Sequence, residues 1–354
     1  MRARLFLGLL LVAGALAAFA CGGDGFDPQS KVTSVRIFGT RVDKPYARPG
    51  ETVTLEVLTT DARAAKPRPM RNFWIPTVCL NPREDLYFAC FAAAANVQID
   101  GGAAATLRAP FADAGTPAAD AVAGPAGGGF ASIPAGIDLS PFLPQGSTFS
   151  FQMPADAVVA REGIAPYGLA IVFNIACAGQ VRIAAITTQN PQQSPIQCTD
   201  EDGVPLSSDD YVIGISRVYA YADRVNTNPV VERVTLNGVD VDLAKGITVE
   251  RCTTPKLGDC PPFEIDVKVP EASWELNPGG AAASPREQIW VTYYSDLGKF
   301  KDDARLLYDT KVGRVTESDI EYRAPKETGN GTVWAVVHDN RAGAAFVQFP
   351  ILVK

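Results

Sequence analysis

The side chains with the most chemistry open to them in this 354-residue chain are seven cysteines, a single histidine and a knot of carboxylates between positions 200 and 210. One histidine, His338, rules out any site that needs two, so multi-histidine zinc centres and the HExxH metalloprotease helix are excluded. His338 stands beside Asp339, but no G-x-S-x-G elbow supplies a nucleophile to the pair. It reads as a polar residue at the start of a terminal hairpin turn. Asp200, Asp202 and Asp209 lie around Gly203 in a loop whose oxygen content suits Ca²⁺. The EF-hand spacing is not met, and a solvated acidic loop next to Cys198 is the competing reading. Asp223, Asn226 and Asn228 form a second oxygen-rich stretch. No two-carboxylate glycosidase pair stands out. Calcium is thus the one cofactor the residues leave open, and no enzyme is expected.

Aromatic spacing offers another chemistry. In an extended chain Tyr219 and Tyr221 share one face, as do Trp290 and Tyr294, while Tyr293 points the other way. Such pairs could stack on sugar rings, although aromatic residues inside strands more often fill a core.

The odd cysteine count leads back to the N-terminus. Met1-Arg2-Ala3-Arg4 is basic, and Leu5 to Phe19 carries no charge. That run is short for about 30 Å of hydrocarbon and matches the apolar part of a signal peptide. Ala18-Phe19-Ala20-Cys21 then resembles the lipobox of bacterial lipoproteins. The resemblance implies removal of residues 1–20, lipid on Cys21, and stable anchoring by more than one acyl chain. Gly22 after the cysteine, in place of Asp, implies the outer membrane or cell surface. An ordinary signal peptide cut after Ala20 would instead leave Cys21 as a free thiol. With Cys21 set apart, Cys79, Cys90, Cys177, Cys198, Cys252 and Cys260 remain. Sequence alone does not choose among their pairings, but they fall into local couples in a disulfide-permissive compartment. The expected bridges are Cys79–Cys90, Cys177–Cys198 and Cys252–Cys260.

The elements that must position these groups read as β-strands. Val53, Leu55 and Val57 alternate within Glu51–Thr59, the half-buried strand signal. Before it, Val32–Val42 is a strand that Pro45, Pro49 and Gly50 break. Further strands are expected at Asn72–Leu80, Ser147–Met153, Tyr167–Ala176 and Asp210–Asp223, of which Tyr167–Ala176 is almost wholly apolar and reads as a buried central strand. Asn226 to Pro229 punctuates the chain. Strands follow at Val230–Leu236, Phe263–Val269, Ile289–Tyr294, Thr332–Val337 and Ala345–Val353. A strand, a Pro-x-x-x-Pro-Gly break and a second alternating strand resemble the opening of bacterial immunoglobulin-like domains. Val337 to Gly343 is similar to the last hairpin of PKD-like and cadherin-like domains. Trp290 resembles the core tryptophan of such sandwiches. The resemblance implies an all-β chain of two immunoglobulin-like β-sandwich domains.

The expected organisation is a signal peptide over 1–20 and a tether over 21–31. A first sandwich over 32–226 carries an Ala/Gly/Pro-rich insertion at 92–136, and a second covers 227–354. The insertion buries little and reads as a surface excursion. A formal charge of −7, with its cationic run confined to Arg63–Arg71, speaks against a nucleic-acid partner. The function expected is a non-enzymatic binding or structural module of the cell envelope, with an envelope protein or glycan as partner. A carbohydrate-binding or carbohydrate-processing accessory protein and a calcium-dependent adhesion module are the alternatives.

Overall fold

The computed structural model describes residues 28–94, 106–108, 135–184, 194–278 and 285–354. The leader, Cys21 with the start of the tether, and most of the 92–136 insertion lie outside the described residues.

The strands in order are β1 (Val35–Val42), β2 (Tyr46–Ala47), β3 (Thr52–Asp61), β4 (Arg71–Trp74), β5 (Val78–Leu80) and β6 (Thr106–Arg108). They continue with β7 (Thr148–Gln152), β8 (Val159–Arg161), β9 (Ile164–Cys177), β10 (Gln180–Ile183), β11 (Ile196–Thr199) and β12 (Tyr211–Ala220). One sheet runs β1-β3-β7. The facing sheet runs β2-β12-β9-β5-β6, with β4 and β8 also paired to β9, and β10-β11 form a separate hairpin. The second half contributes β13 (Arg233–Leu236), β14 (Val239–Asp240), β15 (Ile247–Val249), β16 (Phe263–Lys268), β17 (Ile289–Ser295) and β18 (Lys299–Phe300). It ends with β19 (Ala304–Asp309), β20 (Gly313–Arg314), β21 (Ile320–Arg323), β22 (Gly329–Asp339) and β23 (Ala344–Val353). These form sheets β14-β13-β16-β21-β18 and β15-β23-β22-β17-β19-β20.

The two halves share one topology. In each, the opening strand pairs antiparallel in one sheet, as β1 with β3 and β13 with β16. The chain then crosses, and a short piece pairs parallel with the last strand of the half in the other sheet, as β2 with β12 and β15 with β23. That exchange, between two antiparallel sheets packed face to face, is the immunoglobulin-like sandwich arrangement. The break seen in the sequence performs it: Pro45 stops β1, and Gly50 takes φ +82° to turn the chain into β3.

Strand β9 shows why its sequence is so apolar. Gly168 through Cys177 are all buried, because each face of the strand meets a core. Ala170 and Val172 join Val53, Leu55, Val57 and Trp74 between the two sheets. Leu169, Ile171, Phe173 and Ile175 face the other way, against a covering layer. Helix α1 (Tyr87–Ala94), the short turn at Ser140–Phe142 and the β10-β11 hairpin supply it. Two disulfides staple that layer down. Cys79 of β5 joins Cys90 of α1, and Cys177 at the end of β9 joins Cys198 of β11, with Cα separations of 5.8 and 5.9 Å. Cys252–Cys260 closes the loop between β15 and β16.

Two details depart from expectation. Asn72–Leu80 is split into β4 and β5, with Pro76, which has no N–H to give a ladder, in the gap. Trp290 is not a core residue. In β17 the buried positions are Ile289, Val291, Tyr293 and Ser295, so Trp290 looks outward. The tryptophan that fills a sandwich is Trp74, fully buried on β4, stacked 5.5 Å from Phe149 and donating Nε1–H to the Gly146 carbonyl. Trp74→Ala should therefore cost about 3–5 kcal/mol in urea unfolding, whereas Trp290→Ala, at an outward-facing and only partly buried ring, should cost about 1 kcal/mol or less. Equal losses would contradict this assignment of the two faces.

Candidate functional site

The region where the most distant parts of the chain converge is the joint between the sandwiches. Phe38 of β1 and Leu58 of β3 leave the first sandwich on its outer face and meet Trp334 and Val336 of β22, with Tyr294 of β17 and Phe346 of β23 beside them. The Phe38 ring centroid is 4.6 Å from that of Tyr294 and 4.9 Å from that of Trp334. Gly39 lets the backbone come this close, since a Cβ there would stand 3.3 Å from a Val336 methyl. Ahead of β1, the Val32 N–H donates to the Ser295 carbonyl, and the Ser295 N–H donates to the Ser30 carbonyl, both at 2.9 Å. The last residues assigned to the tether thus run alongside β17.

The polar half of the joint is built on the turn between β22 and β23. Asp339 Oδ1 accepts the backbone N–H groups of Arg341 and Gly343, each at 2.7 Å, which closes the turn. Its Oδ2 accepts Asn226 Nδ2–H at 3.1 Å. Gly343 is required, because a Cβ would lie 2.0 Å from Asp339 Oδ2, and Ala342 holds φ +72°, where glycine is the easy residue. Asn228 Nδ2–H donates to the Val42 carbonyl at 2.7 Å, and its Oδ1 accepts the Ala344 N–H at 2.9 Å, tying β1 to β23.

Arg341 sits at the centre, 7% exposed. It donates to the Val225 carbonyl (2.6 Å) and the Leu276 carbonyl (3.0 Å), and its guanidinium lies over the Tyr46 ring at 5.4 Å. Glu275 and Glu287 approach Nη1 at 3.3 and 3.4 Å. Glu287 is fully buried, and burial reinforced by the neighbouring Asp339 and Glu275 carboxylates pushes its pKa up to about 7 against the pull of Arg341. Burial likewise raises Asp339.

A tyrosine cluster adjoins this centre. Tyr46, Tyr167, Tyr219 and Tyr221 are half-buried, with the Tyr46 and Tyr221 centroids 4.6 Å apart and those of Tyr167 and Tyr219 5.9 Å apart. Arg161 lies over Tyr167 at 4.4 Å and Arg224 over Tyr221 at 5.2 Å. Tyr167 donates its hydroxyl to Asp85, and burial is the main reason its pKa rises to about 12.

The structure places the other sequence candidates as follows. Asp200 Oδ1 accepts the N–H groups of Asp202 and Val204, making a tight turn. Asp209 lends its carbonyl to the Val35 N–H, and Asp223 is exposed on the way to the joint. Among the described residues, no group of three His, Cys, Asp or Glu side chains is placed to hold a metal ion. The acidic loop is met by the cationic run instead. Arg63 binds Asp61 through two nitrogens and Asp210 at 2.7 Å, and Arg68 binds Glu201 at 2.9 Å. Asn226 and Asn228 commit their side chains to the joint. His338 is not in a turn: it belongs to β22, pairs across the ladder with Trp290 and stacks on that ring at 5.3 Å, where burial lowers its pKa. Sequence reasoning missed Arg341, Glu275 and Glu287. Only Arg341 carried a signal, since it lies within the Val337–Gly343 run.

No known protein family matches the sequence, and no curated protein matches it. Among solved structures, the dimeric latent PorU of Porphyromonas gingivalis is 13% identical, over 91% of this chain and 24% of that one, with a TM-score of 0.21. The fibronectin(III)-like modules of Clostridium thermocellum CbhA are 10% identical over 89% of this chain and 94% of that one, also at 0.21. A Salmonella alpha-2-macroglobulin mutant is 12% identical over 92% and 16%, again at 0.21. This chain spans under a quarter of the PorU and alpha-2-macroglobulin chains. At these scores none of the three carries an argument, and the class of the protein, an all-β chain of immunoglobulin-like sandwiches, rests on the strand order itself.

The turn makes a prediction. Ala342→Gly removes a left-handed backbone penalty of about 1 kcal/mol, partly offset by unfolded-chain entropy, and should leave the melting temperature equal or higher. Asn226→Ala strips Asp339 of a donor in a buried setting and should cost about 1–3 kcal/mol by denaturant unfolding. A neutral Asn226→Ala would show that the bond contributes nothing to the joint.

Proposed function

We propose that this chain is an exported lipoprotein, held to a membrane by acyl chains on Cys21, that serves as a non-enzymatic structural or binding module of the cell envelope. The joint is the observation that carries the structural part. Tandem domains in one chain normally move relative to each other unless the surface between them is extensive and apolar. Here aromatic packing, strand-like hydrogen bonds and a buried arginine act together, which favours two sandwiches presented as one body. Three disulfides support export, since such bonds persist in oxidising compartments. The Asp339-closed turn supports the finer likeness to PKD-like and cadherin-like domains, with sandwiches over 32–226 and 227–354. The outer membrane or cell surface is read from Gly22 by the resemblance to bacterial lipoproteins.

A second reading is favoured by the tyrosine cluster. Half-buried aromatic rings with arginines laid over them suit a carbohydrate bearing acidic groups. Two measurements separate these readings. Cys21→Ser should move the protein from the detergent phase to the aqueous phase on phase partitioning; a variant that stays in the detergent phase would sink the lipid anchor. If glycans are the partner, Tyr221→Ala should lower binding on a glycan array at least tenfold, and an array without any binding to the unaltered protein removes that reading.

A further inference from the structure

The centre of the joint has an imbalance of charge. One guanidinium, Arg341, is enclosed with three carboxylates, Glu275, Glu287 and Asp339, and all but Glu275 are almost wholly removed from solvent. Most of the polar groups that would offset the excess are already assigned, although the buried Arg341 Nε has no hydrogen-bond partner among the described residues. Glu287 Oε1 accepts the Glu275 N–H at 3.0 Å, while Asp339 is taken up by Asn226 and its own turn. Arg341 spends Nη2 on the Val225 carbonyl and part of Nη1 on the Leu276 carbonyl. Two net negative charges in such a place are costly, and the least expensive relief is a proton on one carboxyl.

We infer that the joint is an acid-tightened latch, in which a proton on Glu287 draws the two sandwiches together and its loss loosens them. The choice of Glu287 follows from burial. It is 0% exposed, it lies between Glu275 on one side and the β22–β23 turn on the other, and Trp274, next to Glu275, donates Nε1–H to its backbone carbonyl. The charged and titratable groups facing it are Glu275 from the preceding segment, Asp339 and Arg341 from the turn, and Tyr46 of the first sandwich beyond the guanidinium. Arg286 turns away to the Trp274 carbonyl. The consequence crosses the joint because Arg341 is also what grips Val225 and lies on Tyr46. Glu287 meets Nη1 while Val225 is held by Nη2, so the two do not compete for one donor; an ionised Glu287 instead leaves two net negative charges enclosed, a repulsion that opening to water relieves and that a proton on Glu287 reduces.

The direction follows from linkage. The folded chain keeps its proton on Glu287 up to about pH 7, whereas the exposed carboxyl would release it near 4.5. Opening the joint withdraws the Val225 and Asn226 contacts and the Tyr46 ring from Arg341 and Asp339 and admits water to the cluster, so the closed joint holds more protons than the open one between these values, and its stability falls as pH rises through that window. Asp339 acts in the same direction. His338, on the other face of β22, acts in the opposite one, since burial lowers its pKa. A comparison with a variant removes the histidine's contribution.

The test is hydrogen exchange of the segment 338–346 in the full chain, corrected at each pH for the chemical exchange rate. Relative to Glu287→Gln, the unaltered protein should open the joint on the order of tenfold more often at pH 8 than at pH 5.5. A ratio that does not change with pH overturns the latch. Should Glu287→Gln fail to fold, Glu275→Gln serves instead. Removing that anion should shift the midpoint of the pH-dependent step to lower pH, and an unmoved midpoint overturns the inference equally.

Discussion

A sheet that presents apolar residues on both faces has to be covered on both, and this constraint organises the molecule twice. In the first sandwich the second face of β9 is sealed by a helix, a short turn and a hairpin, pinned by Cys79–Cys90 and Cys177–Cys198. In the second, the outer face of β17, β22 and β23 carries Tyr294, Trp334, Val336 and Phe346, and the cover is the first sandwich itself. One face is closed by local chain and covalent bonds, the other by a neighbour. The joint is thus the same solution to an exposed sheet face, reached with a different partner.

Buried charge follows a parallel contrast. Arg63 is enclosed by Asp61 and Asp210, whose carboxylates its guanidinium holds below their ordinary range, in Asp210 second to the Ser207 hydroxyl. That group is nearly balanced and links the loop after β3 to the start of β12. Arg341 is surrounded by one carboxylate more; burial raises the pKa of both Glu287 and Asp339, and in Glu287 the neighbouring carboxylates add to it. Breaking either arrangement by removing one partner leaves a charge in low dielectric.

Much of the fold was legible because it depends on near neighbours in sequence. Alternation placed Val53, Leu55 and Val57 inward, the apolar run marked β9 as central, and the proline–glycine break marked the change of sheet. The disulfide couples were legible for the same reason, each closing a short loop. Trp290 misled because strand alternation gives two faces without saying which is inside. Its neighbours Val291 and Tyr293 took the core, and Trp74, in a strand interrupted at Pro76, was the buried ring. His338 was assigned to a turn because strand β22 runs two residues further than its apolar pattern. Little of the joint was legible: Arg341 lay within the hairpin run Val337–Gly343, but Glu275 and Glu287 are ordinary charged residues in sequence, and only tertiary packing brings all three to Asn226 and Tyr46.

The parallel pairing of opening and closing strands has a mechanical side. In both sandwiches the stretch near the start of the half, β2 or β15, lies alongside the end of the last strand, β12 or β23, and points the same way. Tension applied between the two ends of a half then drags these strands past each other lengthwise. Their hydrogen bonds share that force together; they are not peeled open one after another. A chain tethered at one end and engaged at the other would meet tension with its bonds in shear.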